Sequence, residues 1–402
     1  MQASNRRNVA VLSFALVVVT LGFGMVIPLY PFYIEKLGAA GSDLGLLIAT
    51  AALLEFVFAP VWGSISDRIG RRPVLMIGMA GYGISSLLFG LSTELWMLYA
   101  ARALSGLLSS ATSATAMAYI SDCTADEDRG AGIGALGAAT GLGLIVGPGL
   151  GGWLGAGSLA TPFFVAAGLA AASLLLILAL VPESLPVEAR TAGTLKTVQF
   201  GALWQALRSP VGILMALLFL VSFGLANFES VFGLYAAAEL DYGPERVGVI
   251  LMVVGVVSTL GKATLIGPLT RRWGEAVIIK ASTLASSMGF LVLLMAHTYA
   301  EVLLATGLFI LSKTFLRTAL LSLASRRATV GQGAAMGLGN SFISLGLIAG
   351  PIWAGSVFDL AATYPYISGA VIMALGFAIS MVWVAQRPGE SLATRWRSAA
   401  QR

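Results

Sequence analysis

Six ionisable side chains stand inside otherwise apolar stretches of this chain: Glu55, Arg102, Glu229, Lys262, Lys313 and Arg317. On insertion scales a charge at the centre of a bilayer costs about 2.5–3.5 kcal/mol, so each is expected to have a task or a partner there. A carboxylate in such a place can carry a proton or meet a cationic ligand. It can equally form a static ion pair that holds helices in register. For Glu55 both readings stand open. Glu229, with Phe223, Phe228 and Phe232 close by in sequence, is the stronger candidate for a proton carrier, and Arg102 and Lys262 are its candidate counter-ions. Lys313 and Arg317 are four positions apart and share a helix face. Four cations against two carboxylates leave a positive surplus, which suits an anionic or zwitterionic ligand as well as a cationic one.

Long helices must hold these six in place. The chain has 402 residues, 57% hydrophobic and only 11% charged, whereas a soluble domain is about a quarter charged. Too few charges remain to cover a water-facing surface, which excludes an ordinary soluble enzyme. Apolar stretches long enough to cross a bilayer, about 20 residues, recur near 8–34, 44–63, 73–92, 95–119, 131–154, 160–181, 210–237, 246–270, 275–297, 300–324, 331–358 and 362–386. Turn residues such as Gly41-Ser42-Asp43 and Arg71-Arg72-Pro73 separate them. The first run follows Arg6 and Arg7 and outlasts the roughly 7–15 residue core of a signal peptide, so it is expected to stay as a helix.

Of the 24 Lys and Arg, 18 fall on one side of this layout, two (Lys36 and Arg246) on the other, and four within the spans. The positive-inside rule then puts both termini in the cytoplasm, in a multi-pass protein of the cytoplasmic (inner) membrane. The net charge of +5 is a topology signal, and no nucleic-acid partner is expected. Cys123 and His297 are the only cysteine and histidine, which excludes an intrachain disulfide and a Cys/His metal site.

The chain also repeats itself. A polar linker at 187–209 separates a six-helix half, 1–186, from a second, 210–402, which ends in a cytoplasmic tail. Gly147-Pro148 recurs as Gly350-Pro351, 203 residues later, and Gly63–Arg72 has a worn counterpart at Gly267–Gly274, offset by 204. Matched landmarks at one spacing indicate an internal duplication of the kind built into secondary transporters. In the fifth stretch Gly134, Gly137, Gly141, Gly143, Gly147, Gly151 and Gly155 are spaced to let another helix approach backbone to backbone. Pro148 favours a bend. Gly147 is therefore expected to tolerate leucine less well than Gly78. In the Gly63–Arg72 loop, Gly63 and Gly70 permit tight approach, and Asp67 can accept hydrogen bonds from a neighbouring helix N-terminus. Arg68, Arg71 and Arg72 can pair with Asp122 or with the acidic cluster at 126–128. The loop is either a conformational latch or a set of arginines that only fixes topology.

Gly63–Arg72 matches the G-x-x-x-D-R-x-G-R-R loop of the major facilitator superfamily, and Gly143, Gly147, Pro148, Gly151 and Gly152 match an antiporter signature of its fifth span. Arg102 with Gly106 fits the fourth-span R-x-x-x-G pattern, and Pro28 and Pro31 fit a first-span pattern. The chain thus resembles the twelve-span drug:H+ antiporter group of that superfamily. Leu21–Pro31, Leu37–Leu47, Phe223–Glu229 and Gly337–Phe342 make it most similar to the NorA-type quinolone and multidrug pumps.

The resemblance implies an all-α membrane protein with twelve transmembrane helices in two pseudo-symmetric six-helix bundles around a central cavity. It implies proton coupling through Glu229, Glu55 and Arg102, and substrate contacts from Asn340, Phe228, Phe232, Tyr30 and Arg317. It makes Gly63, Asp67, Arg68, Gly70, Arg71, Arg72 and Asp122 the latch, and the fifth-span bend a seal against leak. The chain departs from those pumps in the tenth span, where Ser312-Lys313-Thr314 replaces a second acidic residue. It departs from tetracycline exporters in lacking a first-span aspartate.

The expected function is proton-coupled export of small amphipathic compounds, multidrug efflux, by a monomer in the lipid bilayer. No G-x-x-x-x-G-K-[ST] loop is present, so the energy is expected from the proton gradient, without a cofactor. The alternative is a flippase or exporter of a lipid, glycolipid or sugar, which the positive surplus favours. A receptor or channel that does not pump fits the duplicated halves poorly. With His297 as the sole histidine no catalytic triad is expected, and no enzyme.

Overall fold

The computed structural model of the protein describes residues 3–123, 126–190, 195, 197–209, 211–327 and 332–384, without the side chains of 3–9, 113, 126–133, 135–136 and 332–333. Among the described residues every regular element is helical. In the first half α1 (Ala3–Val26) passes through a 3₁₀ turn, Ile27–Leu29, into α2 (Tyr30–Lys36), followed by α3 (Gly41–Ile69), α4 (Arg71–Gly90), α5 (Leu95–Cys123), α6 (Asp126–Gly157) and α7 (Thr161–Leu180). A linker helix, α8 (Phe200–Leu207), leads to α9 (Gly212–Glu229), α10 (Phe232–Leu240) and α11 (Pro244–Leu260). A π-helical turn, Gly261–Leu265, joins α11 to α12 (Ile266–Trp273). The chain continues through α13 (Glu275–Leu294), α14 (Tyr299–Arg327), α15 (Gln332–Phe358) and α16 (Tyr364–Trp383). Ten helical stretches among the described residues are long and apolar enough to cross a membrane. To these α5 and α6 add helices of 29 and 32 residues.

The helices outrun the apolar stretches that announce them. α3 continues past the last apolar turn to Ile69 and stops only at Gly70, whose φ of 109° no other residue adopts without strain. α8 is not legible as a helix in the sequence, because Lys196 and Arg208 flank it and make the whole linker read as polar. Its Leu203 and Ala206 are nevertheless buried. Pro28 and Pro31 lack the N–H that a continuous helix needs, and the first rod breaks between them. The matching break between α9 and α10 falls 203 positions later and has no proline. There Gly233 lets the α10 backbone settle on the Pro31 ring, to which a Cβ at Gly233 would stand at 2.5 Å.

The two halves are packed alike. α1 lies on α6 and α7, α4 on α5 and α7, and α3 on α5; in the second half α9 lies on α15 and α16, α13 on α14 and α16, and α11 on α14. Two long seams join the halves, α3 with α15 and α6 with α11, beside the shorter contact of α2 with α10. Both are closed by glycines facing carbonyl oxygens: Gly45 on Pro351 and Gly355 on Gly41, and, 203 positions on, Gly248 on Pro148 and Gly152 on Pro244. A Cβ at any of the four would overlap the oxygen. The repeat read from Gly147-Pro148 and Gly350-Pro351 thus reappears as a pseudo-twofold relation between contacts. All four lie at the end opposite the Gly63–Arg72 loop, where the seams are shut. Towards the loop end they part: Gly63, Gly137 and Gly337 have nothing within 4 Å of a Cβ position.

Candidate functional site

Where α3 and α15 part, a cavity of ≈ 560 Å³ opens, a volume typical of small-molecule sites. α3 contributes Glu55, Phe56 and Pro60, α15 contributes Asn340 and Ser344, and linker residues 197–199, 202 and 203 complete its lining. Two sequence candidates, Glu55 and Asn340, therefore share one chamber with an apolar wall between the halves. Phe56 lines it too.

Glu229 is the last residue of α9, at the break before α10. It forms an ion pair with Lys313 of α14. This corrects the sequence expectation, which offered Arg102 or Lys262. Arg102 is committed elsewhere. Its Nη1 donates to the Tyr30 hydroxyl at 2.7 Å and its guanidinium lies 4.5 Å from the Tyr30 ring centroid, a hydrogen bond and a cation–π contact to one side chain.

Four expected substrate contacts, Tyr30, Phe228, Phe232 and Arg317, do not line the cavity. Tyr30 is buried, holding Arg102 and packing against Phe89 and Phe163 at centroid distances of 5.4 and 6.4 Å. Phe228 and Phe232 are each 1% exposed. Phe228 packs against Phe232 at 4.9 Å and Phe309 at 5.1 Å. The reason is rotational. Successive residues on a helix are about 100° apart, so a turn that presents Glu229 to Lys313 points Phe228 into the core. Arg317 is exposed.

The Gly63–Arg72 loop closes on its own half. Arg71 donates from Nη1 to Asp67 at 2.5 Å and to Ser66 at 2.7 Å, and from Nε to Asp122 at 2.9 Å. Arg72 donates to the Leu178 carbonyl. Asp67 thus has Arg71 as its partner rather than the amides of a facing helix, and the side chains of the 126–128 cluster lie outside the described residues. The residue that sequence reasoning missed is Glu183, just after α7. Its carboxylate accepts from the backbone N–H of Arg71 at 2.7 Å and Arg72 at 3.2 Å, capping α4. A Cβ at Gly70 would collide with that carboxylate, so this position needs glycine for space as well as for φ. A signal was available: α4 starts with two arginines and no acidic residue in its first turn, so its N-terminal donors need an anion from outside.

In α6, Gly143, Gly147 and Gly151 face Thr20, Leu21 and Met25 of α1, Gly155 faces Leu29 of the 3₁₀ turn that follows it, and Gly152 turns to α11. Gly134 and Gly137 meet nothing within 4 Å, so the packing surface is shorter than the glycine spacing suggests. Gly78 corrects a second expectation. A Cβ there would stand 2.8 Å from the Thr112 amide nitrogen, against 2.6 Å to the Leu21 oxygen at Gly147, so both positions are in backbone contact with a neighbouring helix.

Comparisons with known proteins bear on the family and the fold. The Major Facilitator Superfamily matches residues 12–330. Multidrug resistance protein 1 of Bacillus subtilis (strain 168) is 31% identical over 368 residues, covering 91% of this chain and 93% of that protein. Quinolone resistance protein NorA of Staphylococcus aureus (strain COL) is 27% identical over 379 residues, 94% of this chain and 95% of that one. Among solved structures, the nucleoside transporter NupG superposes with a TM-score of 0.78 at 14% identity, over 96% of this chain and all of the other, which speaks to fold alone.

Proposed function

Because the chain belongs to the Major Facilitator Superfamily, we propose that it exports small amphipathic compounds in exchange for protons by alternating access. The observation that carries this reading is the chamber holding Glu55, Phe56 and Asn340, open towards the arginine loop and sealed at the opposite end by the four glycine–carbonyl contacts. Such a site is reachable from one side at a time. The relatives named for multidrug and quinolone resistance support the substrate class.

In this reading twelve helices, α5 and α6 included, cross the cytoplasmic membrane. The loop end and both termini are cytoplasmic, the chain works as a monomer, and the proton gradient drives it without a cofactor. The structure then corresponds to the state that loads from the cytoplasm. Glu229 is the proton carrier. Protonation releases it from Lys313, and the break between α9 and α10 lets the freed segments shift. The Gly63–Arg72 loop holds the cytoplasmic ends together in the other state, and the α6 glycines seal α1 against leak.

The test is accumulation of a compound panel in inside-out vesicles carrying the full chain. A proton gradient should drive uphill uptake, and a protonophore should abolish it. Uptake that persists after the gradient is collapsed would overturn the coupling.

A further inference from the structure

The charges inside the spans do not cancel, and the structure identifies which are left over. Glu229 is paired with Lys313. Arg102 is held by Tyr30 through a hydrogen bond and a cation–π contact. Lys262 and Arg317 remain, and among the described residues neither has a carboxylate partner.

Arg317 stands on the inner face of α14, beside Lys313. Leu304 and Leu308, 67% and 61% exposed, mark the outer side of α14. Lys313 and Arg317 each follow one of them by nine positions, two and a half helical turns, and so stand on the opposite face. Lys262 belongs to the π-helical turn that interrupts the α11–α12 rod, and such turns re-aim side chains and are frequent at functional sites. Its neighbour Gly261 packs on α14, where a Cβ would stand 2.7 Å from Leu311 and 3.5 Å from Phe315. One turn earlier Thr314 Oγ1 donates to Ser258 Oγ at 3.1 Å, tying α11 to α14. Lys262 thus belongs to the turn that crosses α14, one helical turn beyond the Thr314–Ser258 bond.

Two cations on packed elements that lack a carboxylate partner at this depth are stabilised when a ligand brings the anion. We propose that Lys262 and Arg317 bind an anionic group, so that the compounds this protein carries are organic anions: an apolar body bearing a carboxylate, sulfonate or phosphate. The proposal rests on the export reading above and sharpens it. A purely cationic amphiphile would meet net repulsion at this site, and the Glu229 carboxylate is already occupied by Lys313.

The experiment uses three naphthalenes of similar shape: naphthylacetate, naphthylacetamide and naphthylethylamine. Their uptake is measured in inside-out vesicles of phosphatidylcholine carrying the full chain. The anion should be taken up with the lowest KM and the amine least well. Arg317→Gln and Lys262→Met should each raise the KM for naphthylacetate at least tenfold and leave that for naphthylacetamide within twofold. Two variants at separate helices keep the test valid if one fails to fold. Competition by vesicles made with phosphatidylglycerol would support the anion site and identify a lipid phosphate as its occupant; absence of competition would assign it to soluble anions. Preference for the amine, or equal effects of both substitutions on acid and amide, would overturn the proposal. If a broad compound panel is exported under a proton gradient while naphthylacetate is not, this inference falls and the export reading stands. If nothing on the panel moves, both fall.

Discussion

The carboxylate of Asp359, just beyond α15, accepts the backbone N–H of Gly41 at 2.6 Å, and that of Ser42 at 3.0 Å, at the first turn of α3 in the other half. A helix N-terminus is thereby capped by a side chain more than 300 residues away, with the favourable sign of the helix dipole. The pseudo-symmetric seam has no such bond. Ala156 stands 203 positions before Asp359, and Pro244, 203 positions after Gly41, has no N–H to give. At this end one seam has two hydrogen bonds beside its glycine contacts; the other, among the described residues, has the glycine contacts alone.

Asp359→Ala should therefore loosen the sealed end without unfolding the protein. A cap and its dipole interaction together contribute about 1 kcal/mol, or roughly a fivefold shift towards the state open at that end. Spin labels at Lys36 and Leu360 would report it as a larger population of long distances. An unchanged distance distribution would show that the cap does not bias the cycle.

Glycine substitutions should sort by local space. Gly147→Leu and Gly78→Leu should both abolish transport and lower the melting temperature, since each backbone is in contact with a neighbouring helix. Gly168→Leu should leave both nearly unchanged, because a Cβ there meets nothing within 4 Å. Equal damage at all three positions would remove the case for close backbone packing.

The arginine loop contains two separable roles. Glu183→Ala removes the cap on α4 and should cost about 1 kcal/mol of stability, seen as a lower melting temperature. Asp67→Asn should instead slow transport while expression and melting stay near the wild type, because its charge favours one state of the cycle. An Asp67→Asn protein cycling at the wild-type rate would refute the latch.

Glu229→Gln keeps the side-chain shape and removes the charge. Exchange of substrate down its gradient should survive, and uphill export driven by protons should be lost. The partner to vary with it is Lys313. If Glu229→Gln combined with Lys313→Met restores uphill export, the pair is a structural strut; if export stays lost, Glu229 carries the proton.

Much of this was legible in the chain itself. The span lengths, the all-helical character and the duplication depend on local composition and on a repeat offset, and both are one-dimensional properties. Gly147-Pro148 and Gly350-Pro351 even carried the pseudo-twofold relation that the seam contacts obey. Pairing was not legible in this way. Glu229 meets Lys313, 84 positions on, because rotation of α9 and α14 about their axes brings those two faces together. The same rotation buries Phe228 and Phe232, which the sequence suggested as ligand contacts. Asp359 reads as an ordinary loop residue until α15 is laid beside α3. Glu183 reads as the start of a linker until the bare N-terminus of α4 arrives next to it. Which side chain satisfies which charge or orphan N–H depends on helix rotation and crossing, and only the packed tertiary structure decides these.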